Sequence, residues 1–99
     1  MAKAYFIFLR ERIIDSAALQ RYSADVGKSL DGQPIKFHVV YGAHQVLEGP
    51  PVEGVVVMEF PNTAAAKAWY ESAAYQEVAK HRFTGAEYRA ILVEGVDGD

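Results

Sequence analysis

The sequence has no cysteine, no basic patch and no long apolar run. Without cysteine, the chain can form neither a disulfide framework nor a zinc–thiolate site. The net charge is −3 and the basic residues are scattered, so we expect no nucleic-acid binding, which requires clustered positive charge. The first apolar run, residues 4–9, is too short to span a membrane and has no cleavage-site pattern after it. We therefore expect a cytoplasmic protein without a membrane partner.

The composition supplies enough apolar material for one small core. The chain has 99 residues, of which 51% are hydrophobic. A domain of this size buries roughly two-thirds of its unfolded surface, and this hydrophobic fraction excludes a disordered chain. No repeat, linker or low-complexity segment divides the sequence. We predict a single domain over residues 1–99.

Strand and helix patterns alternate along the chain and predict the order βαββαβ. Strands are predicted at short apolar runs, namely residues 4–9, 36–41 with a continuation over 44–48, 55–60 and 90–93. A helix is predicted from a cap at Asp15 or Ser16 to a stop at Gly32, and helical segments are predicted between Asn62 and Gly85, with a second cap at Ser72. Connections of these lengths favour an α+β, ferredoxin-like domain: a four-stranded antiparallel sheet with helices on one face.

Three of the four predicted strands are apolar at nearly every position. A sheet with one wet face should instead alternate apolar and polar residues. In the first strand, Tyr5 and Ile7 point one way while Phe6 and Phe8 point the other. Helices can cover only one face, and the other would leave roughly ten apolar side chains in water, each worth about 1.5–3 kcal/mol when buried. We therefore predict a homodimer in which the sheet of a second copy covers that face.

The second half of the sequence carries motifs that resemble a known family. These motifs are residues 55–61, 68–72, 75–76, Arg82 and residues 92–95, and residues 46–49 also match. Over nearly its whole length the chain resembles the domain-of-unknown-function 1330 family of the dimeric α/β-barrel superfamily. The resemblance implies a ferredoxin-like fold and a face-to-face sheet dimer. It implies little about activity, because the family has no assigned reaction and the superfamily includes cofactor-free monooxygenases, isomerases and haem enzymes.

The sequence departs from the family pattern at two places. Members often carry an arginine and two glycines on the second strand, where this chain has Tyr41, Gly42 and Ala43. A basic residue common before the third strand is replaced by Gly54. An anion site built on those two basic residues is therefore not implied for this chain.

Glu59 is a carboxylate inside an otherwise apolar strand. A buried carboxylate must be paired, hydrogen-bonded or protonated, because desolvation disfavours its charge. Glu59 is therefore either a catalytic acid or base, or a structural anchor for a basic side chain or a helix end. If the loop at residues 49–51 folds symmetrically, His44 faces Val57 and lies diagonally near Glu59 as a catalytic partner. The alternative for His44 is a solvated histidine at the rim.

Five further residues are candidates for ligand binding: Arg82, Trp69, Tyr75, His38 and Tyr41. Trp69 and Tyr75 belong either to the core or to the wall of a pocket between sheet and helices. Arg82, two helical turns after Tyr75, is expected to bind a ligand carboxylate or to form an ion pair with Glu59 or Glu77. His38 lies on the strand face opposite Phe37, where a structural role is the alternative.

Two functional hypotheses follow from these residues. The first is a cofactor-free enzyme acting on a small organic molecule, with Glu59 as acid or base and Arg82 as anion anchor at one cavity. Trp69 and Tyr75 would form its walls, and His44 would assist Glu59 if the register holds. The second is a dimeric module that binds a metabolite without turnover or serves only in assembly. No cofactor motif occurs, and the three histidines lack metal-ligand spacing, so we expect neither a cofactor nor a metal.

Overall fold

The computed structural model describes residues 2–96 as four strands and three helices. In chain order the elements are β1 (Ala4–Ile13), α1 (Ser16–Leu30), β2 (Lys36–Val40), β3 (Gly54–Phe60), α2 (Thr63–Glu71), α3 (Ala73–Gly85) and β4 (Ala86–Glu94). The strands form one antiparallel sheet in the order β2-β3-β1-β4. The predicted α+β fold with a four-stranded antiparallel sheet is therefore confirmed. No helix within the described residues is long and apolar enough to cross a bilayer.

The helices begin at the capping side chains expected from the sequence. Asp15 accepts hydrogen bonds from two backbone N–H groups in the first turn of α1, and Asn62 accepts one in α2. Ser72 accepts the backbone N–H of Tyr75 and so starts α3 directly after α2. These side chains satisfy N–H groups that have no partner within the helix. The segment between β3 and β4 therefore forms two helices that meet at Ser72 rather than one continuous helix.

Aromatic side chains form the core between the sheet and the helices. Trp69 of α2 lies with its ring centroid 5.7 Å from Phe6 and from Phe60, and 4.2 Å from Tyr75 of α3. Trp69 is only 1% exposed and belongs to this core. The even-numbered residues of β1 and β3 thus face the helices.

None of the helices within residues 2–96 covers the opposite side of the sheet, and most of its central side chains are apolar. We call it the open face, formed by Tyr5, Ile7, Leu9, Val39, Val55, Val57, Ile91 and Val93. Ile7 pairs with Val57 on one side and Ile91 on the other, which places it at the centre of the open face. The structure therefore shows that the odd-numbered residues of β1, β3 and β4 are the ones that no helix of the described chain covers.

The second strand differs from its predicted course. It ends at Val40, so the predicted continuation over residues 44–48 is wrong. Tyr41 has a φ of 53°, a left-handed conformation that turns the chain away from the sheet edge. The register pairs Val39, rather than His44, with Val57. The loop is therefore longer than a symmetric hairpin at residues 49–51 would allow.

Strands β1 and β4 are both longer than the apolar runs that predicted them. β1 continues to Ile13 and β4 begins at Ala86, and the two pair across a register shift between Arg10 and Arg12. The added residues, 10–13 of β1 and 86–89 of β4, are mostly polar, so a search for apolar runs does not find them. Tyr88 belongs to this added part of β4 and lies at the pocket between the sheet and α1.

Candidate functional site

A pocket of about 370 Å³ lies between the helix-covered face of the sheet and α1. Its lining residues are Phe8, Tyr22, Ser23, Val26, Leu30, Phe37, Val40, Tyr41, Val56, Met58, Trp69, Arg82 and Tyr88. Most of this wall is aliphatic or aromatic, with Arg82 as its only charged residue among those described. Volumes of roughly 300–1,000 Å³ with a few polar groups are typical of small-molecule sites.

Arg82 is a buried cation at the wall of this pocket. It lies in the last turn of α3 and is 4% exposed. Its Nε donates a hydrogen bond of 3.2 Å to the hydroxyl of Tyr75. The guanidinium carbon lies 5.3 Å from the ring centroid of Phe8, 4.8 Å from Phe83 and 5.1 Å from Tyr88. Such rings favour a cation over their faces but do not neutralise its charge.

No carboxylate of the described residues lies within ion-pairing distance of Arg82. Glu77 instead binds Lys80 at 3.1 Å, and Glu59 lies on the other side of the sheet. The predicted ion pairs of Arg82 with Glu59 or Glu77 are therefore wrong. The carboxylate of a ligand remains the predicted partner, because a buried guanidinium gains most from a paired anion.

Glu59 lies on the side of the sheet that carries the open face and does not line the pocket. Its neighbours Met58 and Phe60 are buried under the helices, and the two-residue period of a strand turns Glu59 the other way. Its Oε1 lies 2.8 Å from His38 Nε2 and its Oε2 lies 3.5 Å from Lys3 Nζ. The hypothesis that Glu59 borders the same cavity as Arg82 is therefore wrong.

The hydrogen bond with His38, supported by the charge of Lys3, lowers the pKa of Glu59 against the opposing effect of desolvation. This direction is that of an ion pair, whereas a catalytic acid usually has a raised pKa. Glu59 as a catalytic residue stays a prediction, and its surroundings favour the structural alternative.

We expect Glu59 to make the stability of the protein depend on pH in the acid range. Because its folded pKa lies below its unfolded value of about 4.3, its contribution is complete above that value and is lost as the pH falls through the folded pKa. Denaturant unfolding of wild type and Glu59→Gln between about pH 3 and pH 7 measures this contribution. The difference between the two proteins should shrink towards pH 3. A difference that is independent of pH would contradict the assignment.

The two histidines among the predicted site residues, His44 and His38, also lie outside the pocket. His44 lies in the loop after β2, where its Nε2 hydrogen bonds to the backbone carbonyl of Val52 at 2.9 Å. The predicted His44–Glu59 pair is therefore wrong, because Val39 and not His44 pairs with Val57. His38 lies beside Glu59 and outside the pocket. Within residues 2–96, no three imidazole or carboxylate side chains are grouped as a metal ion would require.

Three of the predicted ligand-binding residues come together at the pocket. Trp69, Tyr41 and Arg82 all line it, whereas Tyr75 lies fully buried behind Arg82. The structure adds two tyrosines that the sequence analysis missed. Tyr22 lies at helical spacing from Leu19 and Val26 and so resembles a core residue of α1, and Tyr88 lies between a predicted helix and a predicted strand. Only their hydroxyl groups could have marked them as different from core residues.

The tyrosine hydroxyl groups at the pocket are paired with one another. The oxygens of Tyr41 and Tyr88 lie 2.6 Å apart, and those of Tyr22 and Tyr75 lie 3.0 Å apart. Burial raises the pKa values of Tyr22, Tyr41 and Tyr75. All three therefore keep their protons at neutral pH and can donate hydrogen bonds.

The two departures from the family pattern are in contact. The ring of Tyr41 packs directly on the backbone of Gly54, where any Cβ would collide with it. The Arg10 guanidinium covers the same ring, with its carbon 4.5 Å from the ring centroid. Gly54 thus provides the space in which Tyr41 reaches across the sheet to Tyr88 and borders the pocket.

The family is established by the match of the sequence to a family model. Residues 3–96 match the model described as a domain of unknown function, DUF1330, and the chain belongs to this family. No curated protein matches the sequence.

Solved structures share the fold at low sequence identity. A protein of unknown function from Rhodopseudomonas palustris is 20% identical, with a TM-score of 0.77 over 97% of this chain and 84% of that one. A dimeric, ferredoxin-like protein of unknown function from Bacteroides fragilis is 16% identical, with a TM-score of 0.63 over 94% and 96%. A cofactor-independent oxygenase from Streptomyces nogalater, SnoaB, is 12% identical, with a TM-score of 0.56 over 98% and 96%. These similarities establish the ferredoxin-like fold.

Proposed function

We propose that this protein binds a small organic acid in the sheet–helix pocket, with the acid group at Arg82 and an apolar body against the aromatic and aliphatic wall. The observation that carries the proposal is Arg82 itself. It is a nearly fully buried guanidinium with no carboxylate partner among the described residues. An unpaired buried charge is costly, and a bound anion removes that cost.

We further propose that the protein is a homodimer joined through the open face. The sheet of a second copy would cover the apolar side chains that no helix covers, and the Bacteroides fragilis neighbour is described as dimeric. The pocket lies on the other side of the sheet, between Met58 and α1. Dimer formation therefore leaves both pockets accessible, one in each copy.

Binding without turnover is better supported than catalysis. The SnoaB neighbour is described as a cofactor-independent oxygenase, but at 12% identity it shares only the fold. The catalytic hypothesis used Glu59 and His44, and neither lines the pocket. The described lining residues include no carboxylate or imidazole, and burial raises the pKa values of the lining tyrosines Tyr22 and Tyr41. The pocket is thus built to hold an anion rather than to remove a proton.

The test uses three probes that share a phenyl-terminated chain: phenylbutyrate, phenylbutyramide and butylbenzene. Trp69 is the only tryptophan and lines the pocket, so its fluorescence reports binding of each probe. We expect phenylbutyrate to bind more tightly than the neutral amide. Hydrogen bonds to charged groups are worth about 1.5–3 kcal/mol, so Arg82→Gln should weaken phenylbutyrate about tenfold to hundredfold and leave butylbenzene unchanged.

Arg21→Gln serves as the matched control, because Arg21 is exposed on α1 and does not line the pocket. It should bind all three probes like the wild type. Arg82→Lys keeps the charge and should retain part of the preference for the acid. If Arg82→Gln is folded by circular dichroism and binds phenylbutyrate as tightly as the wild type, Arg82 is not the anchor and the proposal is wrong.

A further inference from the structure

Tyr22 is placed where a hydrogen-bond chain from Arg82 ends at the pocket. Arg82 Nε donates to the hydroxyl oxygen of Tyr75 at 3.2 Å, and the Tyr75 oxygen lies 3.0 Å from that of Tyr22. Tyr75 is 0% exposed and does not line the pocket, whereas Tyr22 does. Three groups therefore form one continuous chain that starts and ends at the pocket wall.

The position of Tyr75 fixes the direction of this chain. Each tyrosine has one hydroxyl proton, and the oxygen of Tyr75 already accepts the proton of Arg82 Nε–H. Among the described residues, only Tyr22 offers an acceptor within reach of the Tyr75 proton. If Tyr22 donated instead, the buried Tyr75 proton would have no acceptor, which is unfavourable. Tyr75 therefore donates to Tyr22.

The proton of Tyr22 is then left for the pocket. The Tyr22 oxygen accepts from Tyr75, and no other described group accepts its proton. We propose that Tyr22 is a ligand-binding residue that donates a hydrogen bond to an oxygen of the bound molecule, with Tyr75 as the positioning residue that orients it. This inference rests on the proposed binding of an organic acid, and it narrows the ligand class. One carboxylate oxygen would face Arg82 and the other would face Tyr22.

This arrangement separates the role of charge from the role of the acceptor oxygen. Arg82 favours the charged acid over the amide, whereas Tyr22 favours any molecule with an acceptor oxygen over a hydrocarbon. A hydrogen bond from a neutral hydroxyl to a carboxylate is stronger than one to an amide oxygen. Arg82 and Tyr22 should thus both favour phenylbutyrate over phenylbutyramide, whereas only Tyr22 should favour phenylbutyramide over butylbenzene.

The test compares Tyr22→Phe and Tyr75→Phe with the control Tyr70→Phe. Tyr70 is half-buried and packs on Phe6, but it does not line the pocket. We expect Tyr22→Phe to weaken phenylbutyrate about tenfold, to weaken phenylbutyramide less, and to leave butylbenzene unchanged. Tyr75→Phe should weaken phenylbutyrate by a smaller factor, because Tyr22 keeps its proton but loses its orientation. The control should bind like the wild type.

The outcomes separate this inference from the proposed function. If the acid preference depends on Arg82 but Tyr22→Phe binds phenylbutyrate like the wild type, the assignment of Tyr22 is overturned and the function stands. If Tyr22→Phe weakens butylbenzene by the same factor as phenylbutyrate, Tyr22 only shapes the pocket and the assignment is again overturned. If wild type shows no preference for the acid over the hydrocarbon, the proposed function itself is wrong. Selective loss for the two oxygen-containing probes supports the inference.

Discussion

Replacing Trp69 with alanine should lower the free energy of unfolding by about 3–5 kcal/mol, the range for a large aromatic removed from a core. Trp69 packs edge-on against Phe6, lies 4.2 Å from the ring centroid of Tyr75 and donates its indole N–H to Ser29 Oγ at 3.4 Å. Four of the other eight residues of its helix are alanine, and these side chains are too small to fill the cavity that the indole leaves. A loss of this size is a large share of a typical domain stability of about 5–15 kcal/mol.

Denaturant unfolding should be followed by far-ultraviolet circular dichroism, because the substitution removes the only tryptophan. The proteins must be compared at one concentration, since association stabilises the folded state by mass action. Trp69→Phe keeps an aromatic ring and should lose clearly less. Leu47→Ala, at a side chain that is 85% exposed, should change little. A loss below about 1 kcal/mol for Trp69→Ala would contradict its role as the centre of the core.

Ile7→Asp should convert the proposed dimer into monomers. Ile7 lies at the centre of the open face, between Val57 and Ile91. In a face-to-face dimer each copy would bury an unpaired carboxylate there, and such a burial typically costs several kcal/mol per charge. Aspartate is preferred to lysine as the test, because a lysine side chain could extend to the edge of the interface.

Light scattering at micromolar concentration should give twice the mass of one chain for the wild type and one chain mass or aggregates for Ile7→Asp. Ile14→Asp is the control: Ile14 follows β1 and is exposed outside the open face. It should remain dimeric. A monomeric wild type would refute the dimer, and a dimeric Ile7→Asp variant would show that the copies meet at another surface.

The fold could be predicted from the sequence because local signals agreed with one another. Asp15, Asn62 and Ser72 each cap a helix where the sequence placed the cap. The apolar runs marked the core of every strand, and Trp69 and Tyr70 are the two aromatic side chains of an alanine-rich helix. These features depend on neighbours within a few residues, so no knowledge of the tertiary structure was needed.

The site could be predicted only in part, because its contacts join residues far apart in the chain. The sequence singled out Arg82, Trp69 and Tyr41, and all three line the pocket. It also grouped Glu59 with Arg82, but strand periodicity alone does not say which of two apolar faces the helices cover. Since the helices cover the even-numbered side of β3, Glu59 faces away. The grouping failed for that single reason.

The sequence by itself determined the element order, the helix ends and the fact that both faces of the sheet are apolar, because caps and two-residue alternation are local properties. Only the tertiary structure decided the register of β2, which pairs Val39 with Val57, and the chain of hydrogen bonds from Arg82 through Tyr75 to Tyr22. Such a chain requires three side chains to meet within hydrogen-bonding distance. That geometry depends on how α1 and α3 pack together, which no local pattern encodes.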